Sequence, residues 1–207
     1  VAQQERGIAT REAIVLGGAK VFARLHYSTA RVADILEAAS VTQGGFYFHF
    51  RRGKIEVAEE IIRRQDQGFI LLRDSILESG DDGLASLLTL SRSLARAVQH
   101  DPTAQAGLRL VAHASSEFPG VAKLPDPVWL NAIALFLEQA RAEGNLRAEV
   151  DIPTAARAVV YMFTGAQTSS FVSNGWRHLE ASLEATHWFS MQALATPEYL
   201  ATTKNAL

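Results

Sequence analysis

Residues 32–54 read VADILEAASVTQGGFYFHFRRGK, and this run decides the fold. Val32, Ile35 and Leu36 fall on one face of a short helix, because side chains three and four positions apart are neighbours on a helix surface. Ala39-Ser40-Val41 supplies the turn, and Thr42 puts a hydroxyl at the N-cap of a second short helix ending at Phe50. Two helices joined by three or four residues have the geometry that presents the second to a DNA major groove. Any helical hairpin shares that spacing, so the contents of the second helix carry the argument. Gly44-Gly45 costs roughly 1 kcal/mol per glycine relative to alanine, which close backbone approach to another surface would explain. Phe46 and Phe50 stand at i and i+4 and are expected to bury together. Tyr47 and His49 then face elsewhere, with a hydroxyl and a ring N–H able to reach phosphate oxygens.

Charge points the same way. Residues 1–54 carry eight Lys or Arg against four acids, a formal +4, while the whole chain is −2. A basic end on an acidic body suits a polyanion-binding head, although a solvated basic face would look the same by charge alone.

Outward from this run the chain reads as helices separated by short breakers. Asp101-Pro102 and Asp126-Pro127 each place an acceptor before a proline at the first helical position, where its missing N–H costs nothing. Asp151 is a further N-cap, and Gly144-Asn145 and Asn174-Gly175 are helix stops. Helices are expected near 4–25, 30–38, 42–49, 54–78, 83–99, 102–114, 127–143, 152–173 and 178–195. No stretch alternates apolar and polar residues between turn signals, so no strand is expected. The helix at 152–173 is apolar nearly all round, which requires burial on two sides, against the bundle or against a second subunit. In 178–195, Leu179, Leu183 and Phe189 are expected to face one way and Trp188 and Met191 another.

With 207 residues, 48% apolar and 20% charged, the chain is globular and long enough for two small domains. It has no Cys, which removes disulfides, thiolate metal sites and cysteine nucleophiles and fits a reducing compartment. Its apolar runs stop far short of the ~20 residues that span a bilayer, and no export signal is visible, so a cytoplasmic protein without a membrane partner is expected. The six His form no metal-binding spacing, and neither a phosphate-binding glycine loop nor a nucleophile elbow is present. The expectation is therefore no enzyme, no cofactor and no metal.

The run from Val41 to Phe50, with Lys54 after it and Ala33-Asp34-Ile35, Phe22 and Tyr27 before it, resembles the signature of TetR-type transcriptional repressors. Gln4-Glu5-Arg6 with Thr10-Arg11, the Tyr-Phe-His-Phe form and Ala106-Gly107-Leu108-Arg109-Leu110 are similar to the γ-butyrolactone autoregulator receptors of that family, which control antibiotic production and development in Streptomyces. The resemblance implies an all-α homodimer. A three-helix helix-turn-helix DNA-binding domain at 1–53 would bind a palindromic double-stranded operator, and a helical-bundle ligand-binding and dimerisation domain at 54–207 would take a small signal and release the DNA. It implies DNA-binding roles for Thr42, Gln43, Gly44, Gly45, Tyr47, His49 and Lys54. Four departures stand out: Gln43 where a lysine is usual, His26 where a glycine is common, one extra residue in Arg51-Arg52-Gly53-Lys54, and Ile55 in place of an acid.

Gln65 is the ligand candidate that the residues themselves offer. It interrupts the stripe of Ala58, Ile61, Phe69, Leu72 and Ile76 with an amide, which needs partners if buried; nearby backbone could supply them as well as a ligand. The resemblance places Gln65 and Trp129 at the signal pocket, and Met162 stands where some receptors carry a pocket threonine; Phe163, Thr164 and Gln167 are weaker candidates, whose default is core or dimer packing. A γ-butyrolactone, a furan, a butenolide or an end-product antibiotic all fit that description. The rival reading is a helical small-molecule carrier or enzyme whose basic head is incidental.

Overall fold

The computed structural model describes residues 2–118 and 127–203. Among them the regular elements are helices: α1 (Ala2–Phe22), α2 (Val32–Ala39), α3 (Gln43–His49), α4 (Lys54–Leu77), α5 (Gly83–His100), α6 (Pro102–Ala114), α7 (Pro127–Ala142), α8 (Ile152–Asn174), α9 (Leu179–Leu194) and α10 (Pro197–Thr202), with a 3-10 turn at Ser115–Glu117. The caps explain most of the boundaries. Thr42 Oγ1 accepts the Gly45 N–H at 3.2 Å, Asp101 accepts the Thr103 N–H at 2.7 Å, and Asp151 accepts the Thr154 N–H at 3.0 Å. Gly175 closes α8 in the left-handed conformation at φ 63°. The expected cap at Asp126 lies outside the described residues.

Two expectations need correction at helix ends. The first helix stops at Phe22 rather than near residue 25, because the chain turns there to bury Tyr27 and Ala30. The short α10 lies beyond the last expected helix, with Thr196 as its cap and Pro197 at its start. Six residues cannot hold a helix alone. Contacts with distant residues hold it, as the Tyr199 hydroxyl donates to Asp82 at 2.8 Å and the Thr196 N–H to the Asn145 carbonyl at 2.9 Å.

The described chain packs as two units, one of residues 2–69 with 100–118, the other of residues 70–99 with 127–203. In the first, Ile14, Phe22, Ile35, Phe46, Phe50, Val57 and Ile61 share one core with Ala106, Leu110 and Phe118, so α6 packs with α1 to α4. A Cβ on Gly17 would stand 2.8 Å from the Ala39 Cβ and 2.9 Å from its backbone nitrogen, so the glycine is what lets α1 and α2 touch. In the second unit, Leu84, Phe136, Leu137, Leu179, Leu183 and Met191 are buried. On α9 the covered stripe is Leu179, Leu183, His187, Met191 and Leu194. At ~100° per residue Phe189 and Met191 flank the line of Leu179 and Leu183 at equal angles on opposite sides, and the side covered is that of Met191. The expected partition of this helix is thus reversed for both, and Phe189 is 64% exposed.

Candidate functional site

The helix-turn-helix is built as its residues dictate. Ser40 ends α2 in the left-handed region, at φ 53° and ψ 44°, and its N–H and that of Val41 close onto the Glu37 and Leu36 carbonyls. Phe46 and Phe50 anchor α3 from below, both buried, with ring centres 6.0 Å apart. With that face fixed, Thr42, Gln43, Gly44, Tyr47 and Phe48 are exposed and Gly45 and His49 half-buried. The space that a Cβ on Gly44 would occupy is open. Gly44 therefore leaves bare backbone at the surface, the condition for close approach by another molecule. The His49 ring lies edge-on to Phe48, 5.0 Å between centres, and its Cε1 faces Gly7 of α1.

Lys54 is placed differently from the other DNA candidates. Its ammonium donates to the carbonyls of Tyr27 at 2.7 Å and Ala30 at 2.9 Å and stands 4.4 Å from the centre of the Tyr27 ring. It ties the start of α4 to the turn before α2. Both basic neighbours, Arg51 and Arg52, are exposed, and Arg52 pairs with Glu59.

An ion-pair cluster holds α4 against α1. Glu60 is nearly buried and accepts from Arg11 at 3.1 Å and Arg64 at 2.9 Å, with Arg63 alongside; Arg64 also grips Glu12 through two bonds of 2.6 Å. Burial pushes the Glu60 carboxyl up, but the hydrogen bonds from Arg11 and Arg64 outweigh it and hold the group at about 2. No feature of the sequence alone pairs residues 11, 12, 60 and 64, since the pairing exists only once α1 and α4 lie side by side.

The ligand candidates are spread over both units. Gln65, half-buried on α4 in the first unit, lies against Gly107 of α6, where a Cβ would come within 2.6 Å of its own Cβ and 3.0 Å of its amide oxygen. Trp129 on α7 and Met162 and Phe163 on α8 belong to the second unit and are all half-buried. Ser190 donates its hydroxyl to the Thr186 carbonyl at 2.7 Å, and its oxygen stands 4.0 Å from Met162 Sδ. Phe48 is the residue that sequence reasoning passed over. It is 74% exposed, and its apolar ring gave no chemical reason to expect that.

Comparison with known proteins decides the family. The model of the tetracyclin repressor-like C-terminal domain matches residues 82–188. The A-factor receptor protein of Streptomyces griseus is 31% identical over 196 residues, covering 88% of this chain and 67% of that protein. The chain belongs to the TetR family. A solved structure concerned with the molecular basis for control of antibiotic production by bacterial hormones is 29% identical, with a TM-score of 0.75 and coverage of 90% of this chain and 98% of that one. A γ-butyrolactone receptor structure is 25% identical, with a TM-score of 0.67 over 87% of this chain and 98% of that one. As a TetR-family member the chain is a ligand-responsive transcriptional repressor, all-α, with a helix-turn-helix and a helical regulatory region. The basic head of this TetR protein is accordingly not incidental. Among the described residues no helix is long and apolar enough to cross a membrane.

Proposed function

We propose that this repressor holds a palindromic operator through α3 and releases it when a small signal of γ-butyrolactone, furan or butenolide type binds, controlling antibiotic or secondary-metabolite production. The observation that carries the DNA half is the presentation of α3, whose buried Phe46 and Phe50 leave Gln43, Gly44 and Tyr47 turned outward. Thr42, Gln43, Gly44, Gly45, Tyr47 and His49 are the proposed DNA contacts in a domain spanning 1–53. Thr42 accepts a backbone N–H through its oxygen and still has a hydroxyl hydrogen to donate to a phosphate. Lys54 serves that surface from beneath, by fixing the Tyr27–Ala30 turn.

Residues 54–207 are the proposed signal-binding and dimerisation domain, with Gln65, Trp129, Met162 and Phe163 as signal contacts. Likeness to hormone and γ-butyrolactone receptors supports the signal class. Met162 offers a polarizable thioether where a hydroxyl would select a polar group, which suits the apolar part of such a signal. Tyr161 and Val172 on α8 and Trp188 and Phe189 on α9 are exposed apolar side chains that a second copy of the chain would cover. The protein acts by binding in the cytoplasm, with no catalytic step, cofactor or metal. A gel shift on palindromic DNA upstream of its own gene, repeated with extracts of small molecules that copurify with the protein, tests this. A retarded band that extract abolishes is expected; failure to shift any palindrome defeats the reading.

A further inference from the structure

Phe48 on α3 is 74% exposed against 41% for Tyr47, and its chemistry does not match its neighbours. Gln43, Thr42, Tyr47, Arg51 and Arg52 around it in sequence are all polar or basic and exposed, so Phe48 is one apolar ring within a polar rim. A lone exposed ring is too little for a protein-protein interface, which needs a contiguous patch. It has no donor for a phosphate oxygen. What it can meet on a duplex is an apolar projection, and the major groove offers one on its base edges, the C5-methyl of thymine.

The position of Gly44 makes room for that contact. Residues 44 and 48 are i and i+4 and share one face of α3, with the Phe48 ring more than 4 Å from the place where a side-chain carbon at 44 would stand. That place is empty, with nothing within 4 Å of a Cβ built there. An edge-on contact with His49, 5.0 Å between ring centres, steadies the ring from the other side. We propose that Phe48 reads the methyl group of a thymine seated over Gly44, so that part of the operator's sequence is chosen by an apolar contact. The inference rests on the DNA-binding reading above and adds to it a specificity-determining residue and the base that it selects.

The test begins by selecting duplexes from a random pool with the full chain, then replacing each thymine of the enriched site by uracil, which removes only the methyl. Wild-type affinity is expected to fall about fourfold for one thymine in a half-site, and on the order of tenfold or more when both half-sites are changed. Phe48→Ala should bind the thymine and uracil sites equally, and Phe48→Leu should keep part of the difference. Tyr47→Phe should lose affinity for both sites while keeping their ratio. Silence of every uracil substitution in the wild type overturns the inference and leaves the repressor reading standing, as does the same loss in Phe48→Ala. A pool that enriches nothing overturns both. Association of the free chain that Phe48→Ala abolishes would give the ring to a second copy and overturn it too.

Discussion

The Phe118 ring meets the Tyr27 ring edge-on, with centres 4.9 Å apart and planes at 79°, and the same Tyr27 ring lies under the Lys54 ammonium. One tyrosine thereby touches the segment after α6 and the first residue of α4. The helix that follows Lys54 is uninterrupted to Leu77, so α4 leads from the head's anchor through Gln65 and beyond. Any tilt of α4 must either carry the Tyr27–Ala30 turn with it or break the Lys54 contacts.

Phe118→Ala should therefore act on the head, not only on α6. Phe118 is fully buried, and deleting such a ring costs about 3–5 kcal/mol. Thermal melting should show that loss. Hydrogen exchange should show new opening in the Tyr27–Ala30 turn; opening confined to residues 100–118 would contradict the role given to Tyr27.

Gly44→Ala separates stability from function. The added methyl meets no atom within 4 Å and relieves up to about 1 kcal/mol of helix cost, so the melting temperature should hold or rise. Affinity for the operator should fall more than tenfold, because the backbone is no longer bare. Tyr47→Ala with His49→Ala should weaken binding to every sequence, whereas Gln43→Ala should change base preference. A Gly44→Ala protein with unchanged affinity would remove the reason given for the double glycine.

Dimerisation should depend on the exposed face of α9. Trp188→Glu with Phe189→Glu alters side chains that are 52% and 64% exposed, so the protomer should fold and sediment as a monomer. Wild-type protein should sediment as a dimer at micromolar concentration. Met191→Glu, by contrast, should fail to fold, since Met191 is fully buried.

Acid should weaken the second unit through His187. Its Nε2 lies 2.7 Å from the Ser91 hydroxyl; burial, then the nearby Arg92 charge, lowers its pKa to about 4. The unfolded chain takes up a proton near pH 6.5, before the folded one does. Stability is therefore complete above pH 6.5 and declines as pH falls toward 4, by on the order of 3 kcal/mol at the limit. Urea titrations across that range should show the slope, and His187→Gln should flatten it.

Signal and operator should oppose each other by equal factors. A shift from 99% competent to 1% requires about 5.5 kcal/mol of differential affinity, and linkage makes it reciprocal. Calorimetry of the copurifying signal, with and without the selected operator, should show weaker binding in the presence of DNA. Equal affinities would end the proposed mechanism. Gln65→Ala and Trp129→Ala should lose induction and keep repression.

Much of the fold was legible because its signals are local. Caps at Thr42, Asp101 and Asp151, the stop at Gly175, and the i, i+4 pair Phe46 and Phe50 act within about one helical turn, so local signals determined most of the helices, though not α10 or the end of α1, and which face of α3 is anchored. Once that face was anchored, the outward set of Gln43, Gly44 and Tyr47 followed. Tertiary structure decided what no local signal encodes. Met191 and Phe189 are both apolar, and only the packed neighbours of α9 determine which is covered. Lys54 turned inward because α4 begins beside the free carbonyls of Tyr27 and Ala30. Residues 100–118 joined the head because Gly107 admits Gln65 and Phe118 fills the space beside Tyr27, contacts between segments far apart in the chain whose complementarity exists only when the helices are assembled.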